Sequence, residues 1–74
     1  MVYLHLCCEG WRAFGPFKHL TLLATAITDD EDRVICFRDG DGAWRTPGIF
    51  INYVWRTPMV SSSEEHPHPA RGKA

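Results

Sequence analysis

The chain has 74 residues, 45% of them hydrophobic and 23% charged, with a formal net charge of −1 at neutral pH. A chain of this length forms one domain with a small core. Its near-neutral balance gives no footing for a uniformly basic nucleic-acid-binding protein, though a local basic face remains compatible with it.

In chain order, "VYLHLCC" at 2–8 alternates as a strand, with Val2, Leu4, Leu6 and Cys8 on one side and Tyr3, His5 and Cys7 on the other. "EGWRAFGPF" follows. Gly10, Gly15 and Pro16 predict an irregular loop there, pinned to the core by Trp11, Phe14 and Phe17. "HLTLLATAI" at 19–27 reads as a strand from its Thr and Ile content, with a short helix around Leu22, Leu23 and Ala24 as the alternative. "TDDED" at 28–32 is a polar hairpin loop, and "RVICFR" at 33–38 a strand. In that strand Ile35 and Phe37 share one face, and Val34 and Cys36 the other.

"DGDG" at 39–42 is a tight-turn signal, because Asp-Gly supplies the positive φ that such hairpins need. "AWRT" then returns as a short strand that Pro47 ends. "GIFINYVWR" at 48–56 predicts a last strand with Ile49, Ile51, Tyr53 and Trp55 on one side. A single helical turn over residues 47–50 is the alternative, since proline suits a first helical position. After Pro58 the pattern stops. The polar, proline-containing "SSSEEHPHPARGKA" at 61–74 is expected to be a disordered tail behind a single domain at 1–60. The fold class expected is mainly β: a small SH3-like open barrel, or a bent antiparallel sheet, of four or five strands.

The three cysteines, Cys7, Cys8 and Cys36, are an odd, low number that fits free thiols in a reducing compartment. No apolar run approaches the roughly 20 residues of a membrane span, and "MVYLHLCCEGW" lacks the basic start of a signal peptide. A cytoplasmic protein with no membrane association is expected.

Trp-Arg-Thr-Pro occurs twice, at 44–47 and at 55–58. Two units are too few for a repeat array. Either each Trp closes one end of the core and each Pro ends a strand, or the two Trp-Arg pairs line a shared surface. Trp and Arg are the residue types most enriched at binding hot spots. The candidate binding surface is therefore Arg38, Trp44, Arg45, Tyr53, Trp55 and Arg56.

Site chemistry is sparse. With Gly42 as the sixth residue of a calcium loop, Asp39 and Asp41 fit, but the first and twelfth places are Phe37 and Gly48, and neither side chain is a ligand. His5, Cys7, Cys8, His19 and Cys36 are potential zinc ligands without the usual spacings. Cys7 or Cys8 with His5 or His19 is the single nucleophile–base pairing on offer, and nothing nearby in sequence activates a thiol. No cofactor, metal or catalytic residue is predicted.

Several stretches resemble the DUF1653 family of small bacterial proteins: "GPFKH" at 15–19, "VICFRDGDGAW" at 34–44, then "TPGIF" and "NYV". Gly15, Phe17, Lys18 and His19 would match that family's first motif. Val34, Phe37 and Arg38 would match its second, and Trp44, Pro47 and Phe50 its third. The stretch between His19 and Val34 is shorter than the family's, and Arg45 and Thr46 depart from its Trp-x-Arg-Pro order. The resemblance implies a compact β-rich fold and no established activity.

The function expected is a non-catalytic protein-binding module with a protein partner. One concrete form is a phage-type modulator that docks on a large host machine such as RNA polymerase. The alternative is a small barrel that binds nucleic acid through its Arg and Trp face, which would make binding salt-dependent.

Overall fold

The computed structural model describes residues 1–48 and 51–65. Among these residues seven strands form, all paired antiparallel: β1 (Val2–Cys7), β2 (Trp11–Phe17), β3 (Leu20–Leu22), β4 (Ala26–Asp29), β5 (Val34–Arg38), β6 (Trp44–Arg45) and β7 (Met59–Ser61). They make a three-stranded sheet in the order β2-β1-β7 and a four-stranded sheet in the order β3-β4-β5-β6, which do not close into a barrel. The mainly β, antiparallel class expected from the sequence is the class observed, with seven strands where four or five were expected. Among the described residues no helix is long and apolar enough to cross a membrane.

One apolar cluster joins the two sheets. Leu4 and Leu6 come from β1, Leu20, Ile27 and Cys36 from the second sheet, and Trp55 from the connection between β6 and β7. The alternation read in β1 holds, since Leu4 and Leu6 are buried and Val2 and Cys8 pack against the same cluster. His5, on the opposite face, is buried as well. Its ring meets Ser61 and the Ser63 carbonyl, so the segment after β7 covers that face.

The expected loop at 11–17 is a strand instead. Between the pairs Val2↔Phe17 and Leu4↔Phe14, β2 carries one residue more than β1, which is a β-bulge. Gly15 sits in it at φ +133°, where an added Cβ would lie 3.1 Å from the Val2 carbonyl oxygen and 3.2 Å from the Tyr3 ring. Pro16 is tolerated because β2 is an edge strand. Two residues that signal a loop are thus absorbed by a bulge and an edge. Gly15→Ala is expected to destabilise the fold by about 1–3 kcal/mol, measured by urea unfolding.

Residues 19–27 form two strands, not one, and no helix. The chain reverses after β3, where the Leu23 N–H donates to the Ala26 carbonyl at 2.8 Å. The reversal contains no glycine or asparagine, so nothing in its composition announces it. In β5 a second bulge, at Ile35 opposite the Ile27–Thr28 step of β4, breaks the alternation. Cys36 is buried, Ile35 also packs on the core, and Val34 is exposed.

The expected strand at 48–56 does not form over its described part. Residues 51–52 are a turn, and Trp55 makes an isolated bridge to Trp44. Ile49 and Phe50 lie outside the described residues, and with them half of the helical turn considered at 47–50. The strand pattern read as ending at Pro58 resumes in β7, which pairs with β1 through Tyr3↔Ser61, Leu4↔Val60 and His5↔Met59. Ser61 therefore belongs to the sheet and not to the expected tail, whose residues 66–74 lie outside the described ones.

An aspartate organises each polar turn. Asp29 Oδ1 accepts the backbone N–H groups of Glu31 (2.8 Å) and Arg33 (2.9 Å), and its Oδ2 lies 3.3 Å from the Arg33 guanidinium. Asp39 Oδ1 accepts from the Asp41 and Ala43 N–H groups, and its Oδ2 from Arg45 Nε at 2.7 Å. Hydrogen bonding, led by the Arg33 N–H, holds the Asp29 carboxyl below its ordinary pKa, and the Arg45 side chain leads the same effect at Asp39. A folded-state pKa below the unfolded value gives stability that is complete above the unfolded carboxylate range and lost as pH falls through the folded values, below about pH 4. Melting temperature should therefore fall below that pH. The double substitution Asp29→Asn with Asp39→Asn should lower it at pH 7 and flatten the acid limb, read by thermal melts from neutral pH downwards.

Candidate functional site

The two Trp-Arg-Thr-Pro units meet in space. The Trp55 N–H donates to the Trp44 carbonyl at 2.9 Å, and the next amide, Arg56 N–H, donates to the Cys7 carbonyl at 3.0 Å. Residues 55–56 thus tie β6 of one sheet to β1 of the other. The identical letters occupy different environments. Trp55 is 3% exposed and Trp44 half-buried, while Thr46 is buried and Thr57 exposed.

Of the six residues expected on the binding surface, Trp55 is a core residue, because the seam needs a large ring to join the sheets. Its ring meets Phe14 edge to face at 6.2 Å between centroids and Tyr53 at 5.4 Å in a tilted stack. Arg45 is bound to Asp39 and, through Nη1, to the Ile51 carbonyl at 3.3 Å, so it fastens the 39–42 turn to the connection that follows. Arg38 donates from Nε to the Gly42 carbonyl at 3.2 Å, across the same turn. Arg38, Tyr53 and Arg56 remain exposed.

Tyr53 opens onto a cleft that the other expected residues do not line. A volume of about 270 Å3 is bounded by Cys8, Glu9, Gly10, Trp11, Arg12 and Tyr53. It adjoins one of about 340 Å3 to which Asn52 and Val54 contribute. Tyr53 and Val54, which line it, are exposed. The opposite wall is the β1–β2 turn, in which Glu9 adopts φ +67°. Glu9 and Arg12 bring one charge of each sign, and Cys8 a half-buried thiol. The signal for this wall was present in the sequence as a third Trp-Arg dipeptide, Trp11 and Arg12.

Among the described residues no three His, Cys, Asp or Glu side chains converge as metal ligands. The zinc candidates are dispersed. His19 bonds to Thr21 Oγ1 at 3.1 Å, His5 is buried under β7, and Cys36 is in the core. Burial pushes the Cys36 thiol up to about 12, which removes its thiolate at neutral pH. Asp39, the calcium candidate, spends its oxygens on its own turn.

Two His–hydroxyl pairs have the separation of a nucleophile and its base, the exposed His19 with Thr21 and the buried His5, whose Nε2 lies 2.9 Å from Ser61 Oγ. The same nitrogen lies 2.9 Å from the Ser63 carbonyl oxygen, which can only accept. Nε2 therefore carries the proton, and no lone pair on it faces Ser61. Ser61 Oγ bonds to that carbonyl too, at 2.9 Å. The arrangement pins the chain after β7 across His5.

No family model, no curated protein and no solved structure matches the chain.

Proposed function

We propose that the protein is a non-catalytic protein-binding module and that it binds through the cleft between the β1–β2 turn and residues 51–54. The observation that carries this reading is the exposure of Tyr53 and Val54 side by side at the cleft, at 36% and 51%. The buried ring of Trp55 lies beneath Tyr53. An aromatic ring packed on Trp55 and flanked by the aliphatic Val54 and the Arg12 guanidinium has the composition of a binding hot spot. The cationic residues weigh against the nucleic-acid alternative, since Arg45 is paired and Arg38 serves its own turn. A phage-type modulator that docks on a host machine is one protein of this description.

The test is capture from a bacterial lysate, with nuclease, by the tagged chain and by its Val54→Asp variant. Val54 is exposed, so melting temperature should change little on substitution. A stoichiometric protein held by the parent after nuclease and released by Val54→Asp is the expected result. Loss of every partner on nuclease treatment favours nucleic acid, and retention of the partner by Val54→Asp removes the cleft from the interface.

A further inference from the structure

We propose that β3 is a self-pairing edge, through which two copies of this chain join antiparallel across a two-fold axis. Leu22 lies in one cross-strand row with Ile27 and Cys36, by the pairs Leu22↔Ile27 and Ile27↔Cys36. Residues in such a row share a face of the sheet, so Leu22 points to the side on which Ile27 and Cys36 form the core. Those two are buried, whereas Leu22 is 59% exposed and the adjacent Leu23 55%. The core face of the second sheet thus continues to its last strand and is left uncovered there.

The backbone at the same position is open. The bond from the Leu23 N–H to the Ala26 carbonyl closes the β3–β4 hairpin. In an antiparallel ladder, bonded pairs alternate with unbonded ones. Thr21 then turns its N–H and C=O toward Thr28, and Leu22 turns both groups away from the sheet. The Arg38 N–H on the Thr25 carbonyl fixes the same phase from the β5 side.

The other sheet edges differ. β2 carries Arg12 and Pro16, β6 is met by the Trp55 bridge, and β7 follows directly on Pro58. Charge, proline and cover are the usual guards of an edge strand. β3 has none of these. The stretch "LTLLATAIT" at 20–28 contains no ionisable side chain and no proline.

That neutrality selects the occupant. A two-fold axis at Leu22 sets Leu22 against its own copy, with two reciprocal N–H to C=O bonds, and Thr21 against Leu23. No charge meets a like charge, and no charge is buried. Each apolar face covers the other's exposed leucine, and the two four-stranded sheets become one of eight strands. An edge of three residues makes a small interface, so the dimer is weak and dependent on concentration. This surface is separate from the cleft, and either proposal can fail without the other.

The experiment is sedimentation equilibrium of the full chain with its thiols kept reduced, from about 10 µM to about 1 mM, which brackets weak dissociation constants. Amide exchange is followed by NMR at both ends of the range. We expect a monomer–dimer equilibrium in which the Leu22 amide gains protection at high concentration while the Thr21 amide, already bonded to β4, is protected throughout. Leu22→Lys, a charge placed at an exposed position, should raise the dissociation constant at least about tenfold, because like charges then face each other across the axis. A monomer throughout overturns the proposal. So does a dimer whose Leu22 amide exchanges equally at both concentrations, which needs no variant to observe.

Discussion

Trp55→Ala is expected to cost about 3–5 kcal/mol, the range for truncating a fully buried large aromatic. A chain of this length has a total stability of about 4–11 kcal/mol, at roughly 0.05–0.15 kcal/mol per residue. The substitution therefore removes from about a quarter to all of the fold's stability. The argument rests on where the ring sits. Trp55 belongs to neither sheet, yet it is 3% exposed and belongs to the cluster that both sheets share. Truncation empties that position and strips Phe14 and Tyr53 of their ring contact, while neighbouring backbone bonds hold the surroundings from collapsing into the space. Urea unfolding gives the magnitude.

Trp44→Ala supplies the internal comparison. Trp44 is half-buried and only flanks the cluster, so truncation should cost clearly less than at Trp55, while the bridge between the two backbones survives either change. Equal costs would mean that the two Trp-Arg-Thr-Pro units play equal roles, contrary to their burial. Trp55→Phe should recover part of the loss, because a smaller ring fills part of the same volume.

The contrast shows what the sequence could carry and what it could not. The alternation of Leu4 and Leu6 with His5 and the Asp-Gly turn at 39–42 express local rules, and both appear in the fold. The hairpin after β3 is built from Leu23, Ala24, Thr25 and Ala26, none of which is a turn former, so tertiary pairing sets it. β2 was hidden by Gly15 and Pro16, since whether a glycine marks a loop or a bulge depends on the partner strand. At 51–56 the apolar pattern was real but served a cleft and a core ring, not a strand. The candidate surface was legible in composition through its Trp, Tyr and Arg. Which of two identical tetrapeptides is buried is decided by packing across the seam, and residue type holds no record of that. Tyr53, expected on the candidate surface, is exposed, whereas the residues across the cleft from it, Trp11 and Arg12, lie more than forty positions away in the chain.

His5→Ala is expected to cost about 2–4 kcal/mol, by combining a buried cavity with the loss of a buried hydrogen bond. His5 is fully buried on the face of β1 away from Leu4 and Leu6, in a row with Ala13 and Met59. Its Nε2–H reaches the Ser63 carbonyl and lies against the Ser61 hydroxyl, so one side chain fixes two residues of the segment after β7. β7 has three residues and ends its sheet, and a strand that short needs such a fixing point. The loss should be uneven. Amides of β7 should exchange faster in His5→Ala than the fall in global stability accounts for, while those of β4 and β5 should follow the global value. Ser61→Ala should cost only about 1 kcal/mol, since the bond from Nε2 to the Ser63 carbonyl survives. If His5→Ala costs no more than Ser61→Ala, the ladder between β1 and β7 suffices to hold the C-terminal strand, and the histidine is merely accommodated beneath it.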